Sequence, residues 1–565
     1  MTLSILIWVP LALALASATL PGRLAGRAAV VWSAIALAIA ISFVVRFSSG
    51  VAGLQFVTDD VWIAALGIHY KLGLDGLNVA LVLMTTVIFC AAILWASFRD
   101  WERPRSFYFH MALAESAVLG AFCAQDLALF VAFFDLMLIP FYFLCGMWGG
   151  ERRVPATIKL IVYTLVGSLL MLVGAIATGA LAADQHHAHL TFVLSALRAL
   201  PLSHTSQVWI FLCFGIAFLV KMPLVPFHGW LPDGYKAMPI PAVAVFSAVL
   251  SKVAAYGFLR IVLPLFPYAA AHLQTLVLII ALASILWGTL VAMTTPDARM
   301  VVAYSSVAQL GFIVLGIFSL RPEGAQGALL QMVNHALVTA PLFFIVAMLA
   351  ARAGGSERLA DMGGIAFRAP VLASLFLIVT LATLAMPGSS NFIGEFMILL
   401  GVFKAKLAIA AIAFAGVVGA AAYALRLFIT SMHNRVGARV SAREIGPGDA
   451  LPLAGMVAVI VALALYPQFG LSRSQATVRQ TIATVQLAER GLYAAASANA
   501  SAPSAHTAGA APAETADATP GETADATPGE TAEIPPVQTA EVPPIQTAGA
   551  PAPAVGGRGS GSGSP

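Results

Sequence analysis

Charge is what this chain has least of. Only 10% of its 565 residues are Asp, Glu, Lys or Arg, against 60% that are hydrophobic; soluble domains carry about 25% charged residues. Cysteine is nearly as scarce. Cys90, Cys123, Cys145 and Cys213 all lie in apolar stretches with no CxxC spacing, which leaves them as small core residues and points to neither a disulfide framework nor a cysteine metal site. There is no P-loop and no GxGxxG opening a helix after a strand, so ATP-driven transport and direct NADH binding by this chain have no support. The short alternating segments of a transmembrane β-barrel are missing as well.

What is present is a succession of long apolar runs. About 20 apolar residues cross a bilayer as a helix. Runs of that kind lie near 3–19, 28–47, 77–97, 107–123, 126–146, 158–181, 207–225, 239–263, 274–294, 301–319, 326–350, 370–401, 407–432 and 450–470. The expected fold is therefore an all-α polytopic membrane protein of about fourteen spans. The first run lacks a basic flank and a small-residue cleavage site, so it reads as a first span, with a removed signal peptide as the alternative. Basic residues mark cytoplasmic loops. The odd-to-even connections hold Arg23, Arg27, Arg99, Arg103, Arg105, Arg152, Arg153, Lys159, Lys236, Arg299, Arg352, Arg358, Arg368, Arg435, Arg439 and Arg443. The even-to-odd ones hold far fewer, such as Lys71, Arg321, Lys404 and Lys406. Both termini are then expected on the outer side.

The composition changes near residue 496. Residues 496–565 are rich in Pro, Ala and Thr, with seven acids against Arg558, a net −6 that leaves +10 on the preceding part of a chain whose total is +4. Such a segment cannot bury apolar surface and is expected to be disordered, either a partner tether or a solvated extension.

Ionisable groups inside a bilayer are costly and mark ion paths or substrate sites. Within the spans stand Glu115, Asp135, Lys221, Lys252, His335 and Glu395. Lys159 and Arg260 lie near span ends, where snorkelling to the interface is as good a reading as function. Arg426 lies deeper, with a structural pair as its plain alternative. Asp126 begins a span and reads as its solvated first turn. Lysine at both 221 and 252 favours groups that gain and lose a proton, because arginine stays charged; the alternative is a pair of structural ion pairs.

Two spans are broken, at Lys221-Met222-Pro223 and at Ala385-Met386-Pro387-Gly388. Proline removes a backbone donor, and at membrane depth the freed carbonyls survive only inside protein or beside water. Discontinuous helices in corresponding places of two halves point to an ion site. A short echo hints at such halves: Pro223 precedes the Tyr256 of "AAYGFLR" by 33 residues, and Pro387 precedes the Tyr423 of "AAYALR" by 36.

The stretches "VKMPLVPFHGWLPD", "SKVAAYGFLR", "DARMVVAYSSVAQLGF" and "MPGSSNFIGEFMIL" closely resemble the antiporter-like subunit M family of bacterial NADH–quinone oxidoreductase (respiratory complex I), whose mitochondrial counterpart is subunit 4. The likeness runs from "LGLDGL" (72–77) to the last span. It implies fourteen helices with two inverted five-helix repeats, residues 107–263 (helices 4–8) and 274–432 (helices 9–13), after three N-terminal helices in 1–106 and before helix 14 at 450–470. It implies proton transfer through Asp135, Lys221, Lys252, His335 and Glu395. It also implies partners: the other membrane subunits of the complex, above all two other antiporter-like subunits, with NADH, FMN, iron–sulfur clusters and quinone held elsewhere, no cofactor or metal in this chain, and no nucleic acid. The implied place is a bacterial inner membrane.

Three departures stand out. Asp135 occupies a position that usually holds glutamate, Gln309 in "VAQLGF" one that often holds histidine, and "PIPAVAV" replaces the usual start of helix 8. Rival readings are a subunit of a multisubunit Na⁺/H⁺ antiporter, against which Glu395 argues because lysine is commoner there, a subunit of a related membrane-bound hydrogenase, and a purely structural membrane subunit. Glu115 is open between the acidic side of the route and a structural pair, and His228 between proton uptake and capping free carbonyls. Asp233 is expected to order its loop. His186, His187 and His189 read as a solvated loop and not a metal cluster.

Overall fold

The computed structural model describes residues 2–437, 440–441 and 443–501. The chain is predominantly helical. Among the described residues, twelve helices are long and apolar enough to cross a membrane, and two shorter apolar helices, Leu3–Ser17 and Pro370–Thr383, fall on the first span and on the first half of the broken twelfth. Gln468–Ser501 is a further 34-residue helix beyond the last span. It carries helix past the expected boundary at 496, and residues 502–565 of the expected tail lie outside the described residues.

One element has no counterpart in the sequence reading. Strands β1 (Gln55–Ile63) and β2 (Ile68–Leu74) form an antiparallel hairpin, with Asp59 opposite Lys71. Lys71 pairs with Asp59 at 2.6 Å and His69 Nδ1 meets the same carboxylate at 2.8 Å.

The helices sort by how much of themselves they enclose. The apolar stretch of Ile240–Leu265 is 100% buried, that of Pro322–Arg352 94% and that of Ala298–Ile317 89%. Arg153–His186 and Leu407–Met432 reach only 39%. On Arg153–His186, residues Val154, Ile158, Val162, Val166, Leu169, Val173 and Ile176 are each 53–59% exposed. Their three- and four-residue spacing makes one apolar helix face, exposed along this chain.

Aspartates fix two of the helix starts. Asp126 accepts from the N–H groups of Ala128 (2.9 Å) and Leu129 (3.1 Å), opening Leu127–Leu136. It is fully buried, so the expectation of a solvated first turn does not hold; three unsatisfied N–H groups, including that of His69 at 3.1 Å, find their acceptor there. Asp297 caps Ala298–Ile317 in the same way through Met300. Each aspartate also sits in an isolated bridge to a later loop. Leu127 N donates to Phe192 O (2.7 Å) and Leu194 N to Gln125 O (3.0 Å); correspondingly, Ala298 N donates to Glu357 O (2.9 Å) and Leu359 N to Pro296 O (2.8 Å). The same local device thus occurs twice, 171 residues apart by the numbering of the two aspartates.

Candidate functional site

Both breaks foreseen in the sequence are real. His204–Lys221 ends at the lysine and helix resumes only at Phe227; Pro370–Thr383 ends before Pro387 and helix resumes at Ser390–Ala405. A further interruption, at Met137, divides Leu127–Leu136 from Leu138–Trp148. Two stretches of wide, i→i+5 helix, Phe246–Leu250 and Phe258–Val262, flank the turn that bears Lys252. Such bulges have no composition signal, and they occur often at functional sites.

Four of the five expected groups lie deep inside the protein. Lys252 is fully buried, Glu395 is 3% exposed, and Lys221 and His335 are 4% exposed. Asp135 is half-buried. Lys221 Nζ donates to Phe134 O at 3.3 Å, beside the Met137 interruption, and lies 4.3 Å from the centroid of the Phe134 ring. Asp135 is the next residue, but the two charges form no contact within 4.0 Å, and Asp135 Oδ1 is buried without a hydrogen-bond partner. Lys252 Nζ donates to Ser247 O (3.1 Å) and Ser251 Oγ (3.2 Å). Ser247 Oγ in turn meets Ser306 Oγ at 3.3 Å on Ala298–Ile317, the helix that carries Gln309.

At the second break the polar contacts converge. Gln309 Nε2 donates to Glu395 Oε1 at 2.8 Å; Gln331 Nε2 donates to Gln309 Oε1 at 2.9 Å and reaches Glu395 Oε1 at 3.4 Å. Asn334 Nδ2 donates to Ser390 O at 2.6 Å, where helix resumes. His335 Nε2 meets Thr339 Oγ1 at 3.0 Å. Orphaned buried polar atoms gather here: Glu395 Oε2, Gln331 Oε1, Asn334 Oδ1, His335 Nδ1, Asn391 Oδ1 and the Tyr423 hydroxyl. Buried polar groups without protein partners are the usual hosts of ordered water. Glu115 is a further orphan. It is fully buried with neither oxygen partnered, so no structural pair accounts for it.

Other polar groups singled out in the sequence have partners. Arg260 does not snorkel. It is 3% exposed and pairs with Asp75 of "LGLDGL" at 2.5 Å, while its Nε donates to the Tyr256 hydroxyl at 2.8 Å and that hydroxyl donates to Phe122 O at 3.0 Å. Sequence reading missed Asp75 as a partner; a lone acid inside an apolar motif was the available signal. Asp233 pairs with Lys159 at 2.7 Å. Lys236 pairs with Asp297 and, at 2.7 Å, with Glu357, which also takes Arg299 at 2.5 Å. His228 Nε2 accepts from Trp287 Nε1 at 3.0 Å, and Arg426 donates to Thr295 O at 3.0 Å. His186 Nε2 meets Pro201 O at 2.9 Å. Among the described residues, no cluster of three His, Cys, Asp or Glu side chains is placed to hold a metal.

Residues 124–421 match the family model described as "NADH:quinone oxidoreductase/Mrp antiporter, TM". NADH-quinone oxidoreductase subunit M of Rhodobacter capsulatus is 37% identical over 445 residues, 75% of this chain and 85% of that protein. A chain of respiratory complex I from Thermus thermophilus superposes with a TM-score of 0.77 at 30% identity, over 85% of this chain and 100% of that one. A chain of the Mrp complex from Dietzia shares the fold at 21% identity and a TM-score of 0.74, over 86% of this chain and 99% of that one. With a family match over residues 124–421, which include both broken helices, and a structural likeness over 85% of the chain, the chain belongs to the NADH:quinone oxidoreductase/Mrp antiporter transmembrane family.

Proposed function

We propose that this chain is the proton-translocating, subunit-M-type member of the membrane arm of an NADH–quinone oxidoreductase. The observation that carries this reading is the placement of Lys221, Lys252, His335 and Glu395. All four are only 0–4% exposed, Lys252 and His335 on enclosed helices and Lys221 and Glu395 on the inward sides of more exposed ones. A purely structural subunit has no use for groups so costly to bury. Between the antiporter and oxidoreductase readings, Glu395 favours the oxidoreductase, as does the 30% identical complex I chain.

In this mechanism Asp135 steadies the Lys221 ammonium when the two approach. Separation leaves an uncompensated buried charge, which proton release relieves. The proton passes by Lys252 and His335 to Glu395 and leaves on the outer side. Hydroxyls of Ser247 and Ser306 and the orphaned polar atoms near Glu395 offer places for water along the way. The shorter Asp135 side chain makes a bridging water or a helix shift part of the approach. Redox energy comes from partner subunits, which hold NADH, FMN, iron–sulfur clusters and quinone; this chain acts as a translocase subunit with no redox centre of its own. Its nearest partners are two further antiporter-like subunits.

Residues 107–263 and 274–432 are taken as inverted repeats. The repeated aspartate cap and bridge support this: positive-inside orientation puts the Asp126 copy outside and the Asp297 copy inside. The same orientation puts the hairpin and both termini on the outer side of a bacterial inner membrane. Deleting the chain is expected to abolish or sharply reduce NADH-linked proton pumping in membrane vesicles; undiminished pumping would rule the reading out.

A further inference from the structure

We propose that Gln309 and Gln331 are positioning residues that latch one oxygen of Glu395, leaving the other oxygen as the only one to exchange protons. This rests on the proposed proton-transfer role of Glu395.

The geometry is one-sided. Both amides direct their N–H groups at Glu395 Oε1, at 2.8 and 3.4 Å, and they are tied to each other at 2.9 Å. Oε2 is buried with no partner. An amide donates hydrogen bonds but neither gains nor loses a proton near neutral pH, so the Oε1 side is a dead end for transfer. The proton must arrive at Oε2, form its O–H bond there and depart when that same bond breaks, while Oε1 keeps its donors throughout.

The backbone is built for the latch. A Cβ on Gly394 would fall 2.4 Å from Gln331 Oε1 and 3.2 Å from Gln331 N; one on Gly327 would fall 2.7 Å from Ile398 N. Only glycine at these two places lets Pro322–Arg352 and Ser390–Ala405 approach closely enough for Gln331 to reach Glu395.

Two titratable side chains with unpartnered buried atoms lie on the helices packed around Glu395: His335, one turn beyond Gln331 on the same helix, and Tyr423, on the adjoining Leu407–Met432 helix. Other charged groups on the packed helices are engaged: Arg299 with Glu357, Glu323 with Lys404, Arg352 with the Met348 and Arg443 carbonyls, and Arg426 with that of Thr295.

The test measures protons moved per NADH oxidised by the intact complex in sealed vesicles across the neutral pH range. Glu395→Gln defines the share carried by this subunit. Gln309→Leu and Gln331→Leu are expected to cut that share about tenfold, each removing a hydrogen bond to a charged group. Gln309→His keeps a ring N–H toward Oε1 but adds a group that can itself gain and lose a proton, so transport should persist with a pH profile that differs from that of the unaltered complex. Leucine variants that pump normally, or a histidine variant with an unchanged pH profile, would overturn the latch. If the leucine variants fail to assemble, the histidine variant alone decides. Full pumping by Glu395→Gln would overturn the proton-transfer reading itself, and the latch with it.

Discussion

Lys221 and Arg260 are both buried basic side chains, yet they are held in opposite ways. Arg260 has an acid at 2.5 Å and a tyrosine at 2.8 Å. Lys221 has one carbonyl and one aromatic face, with its nearest expected acid out of contact. The first arrangement locks a charge in place; the second, on the proposed mechanism, is what lets a charge come and go. Removing one partner of a buried ion pair costs about 3–5 kcal/mol, whereas replacing both with apolar groups is often neutral. Asp75→Asn is therefore expected to lower the thermal stability of the assembled protein by about that amount, and Asp75→Leu with Arg260→Met to restore most of it. A single variant that melts like the unaltered protein would show that the pair locks nothing.

At the scale of elements, the loop acid Glu444 shows how a helix start can be built from a distance. It accepts from Val371 N (2.8 Å) and Leu372 N (3.1 Å), capping Pro370–Thr383 in place of a local residue. Partial burial pushes this carboxyl up, but the N–H groups of Ile445, Val371 and Leu372, with Arg352 nearby, outweigh that and hold it below its ordinary value. A carboxyl depressed in the folded state stabilises above its unfolded value, about 4.3 for glutamate, and the contribution fades as pH falls through the lower folded value. Hydrogen exchange should find the Val371 and Leu372 amides losing protection in that acid window, and poorly protected at every pH in Glu444→Ala, which removes the acceptor. Equal protection in both proteins would mean that the cap contributes nothing. Elements were legible where composition speaks. Pro223 and Pro387 announced both breaks, and the apolar runs announced the helices. The hairpin was not legible because "QFVTDDVWI" is too short and mixed to stand out beside long apolar runs, and the wide turns around Lys252 have ordinary helical sequence.

At the scale of the whole molecule, the two most enclosed helices carry Lys252 and His335, while the exposed face of Arg153–His186 carries valine, isoleucine and leucine. The candidate residues could be picked out because a charge in an apolar run is visible in one dimension. Their partners could not, since Asp75 is 185 positions from Arg260 and Gln309 is 86 from Glu395. Only the folded chain brings such pairs together. What unites these scales is the claim that a buried lysine at a broken helix hands a proton across. The most direct check is the number of protons translocated per NADH oxidised by an assembled Lys221→Ala complex in sealed vesicles. A ratio reduced by this subunit's whole share, with assembly intact, is the expected result; the unaltered ratio would contradict the claim.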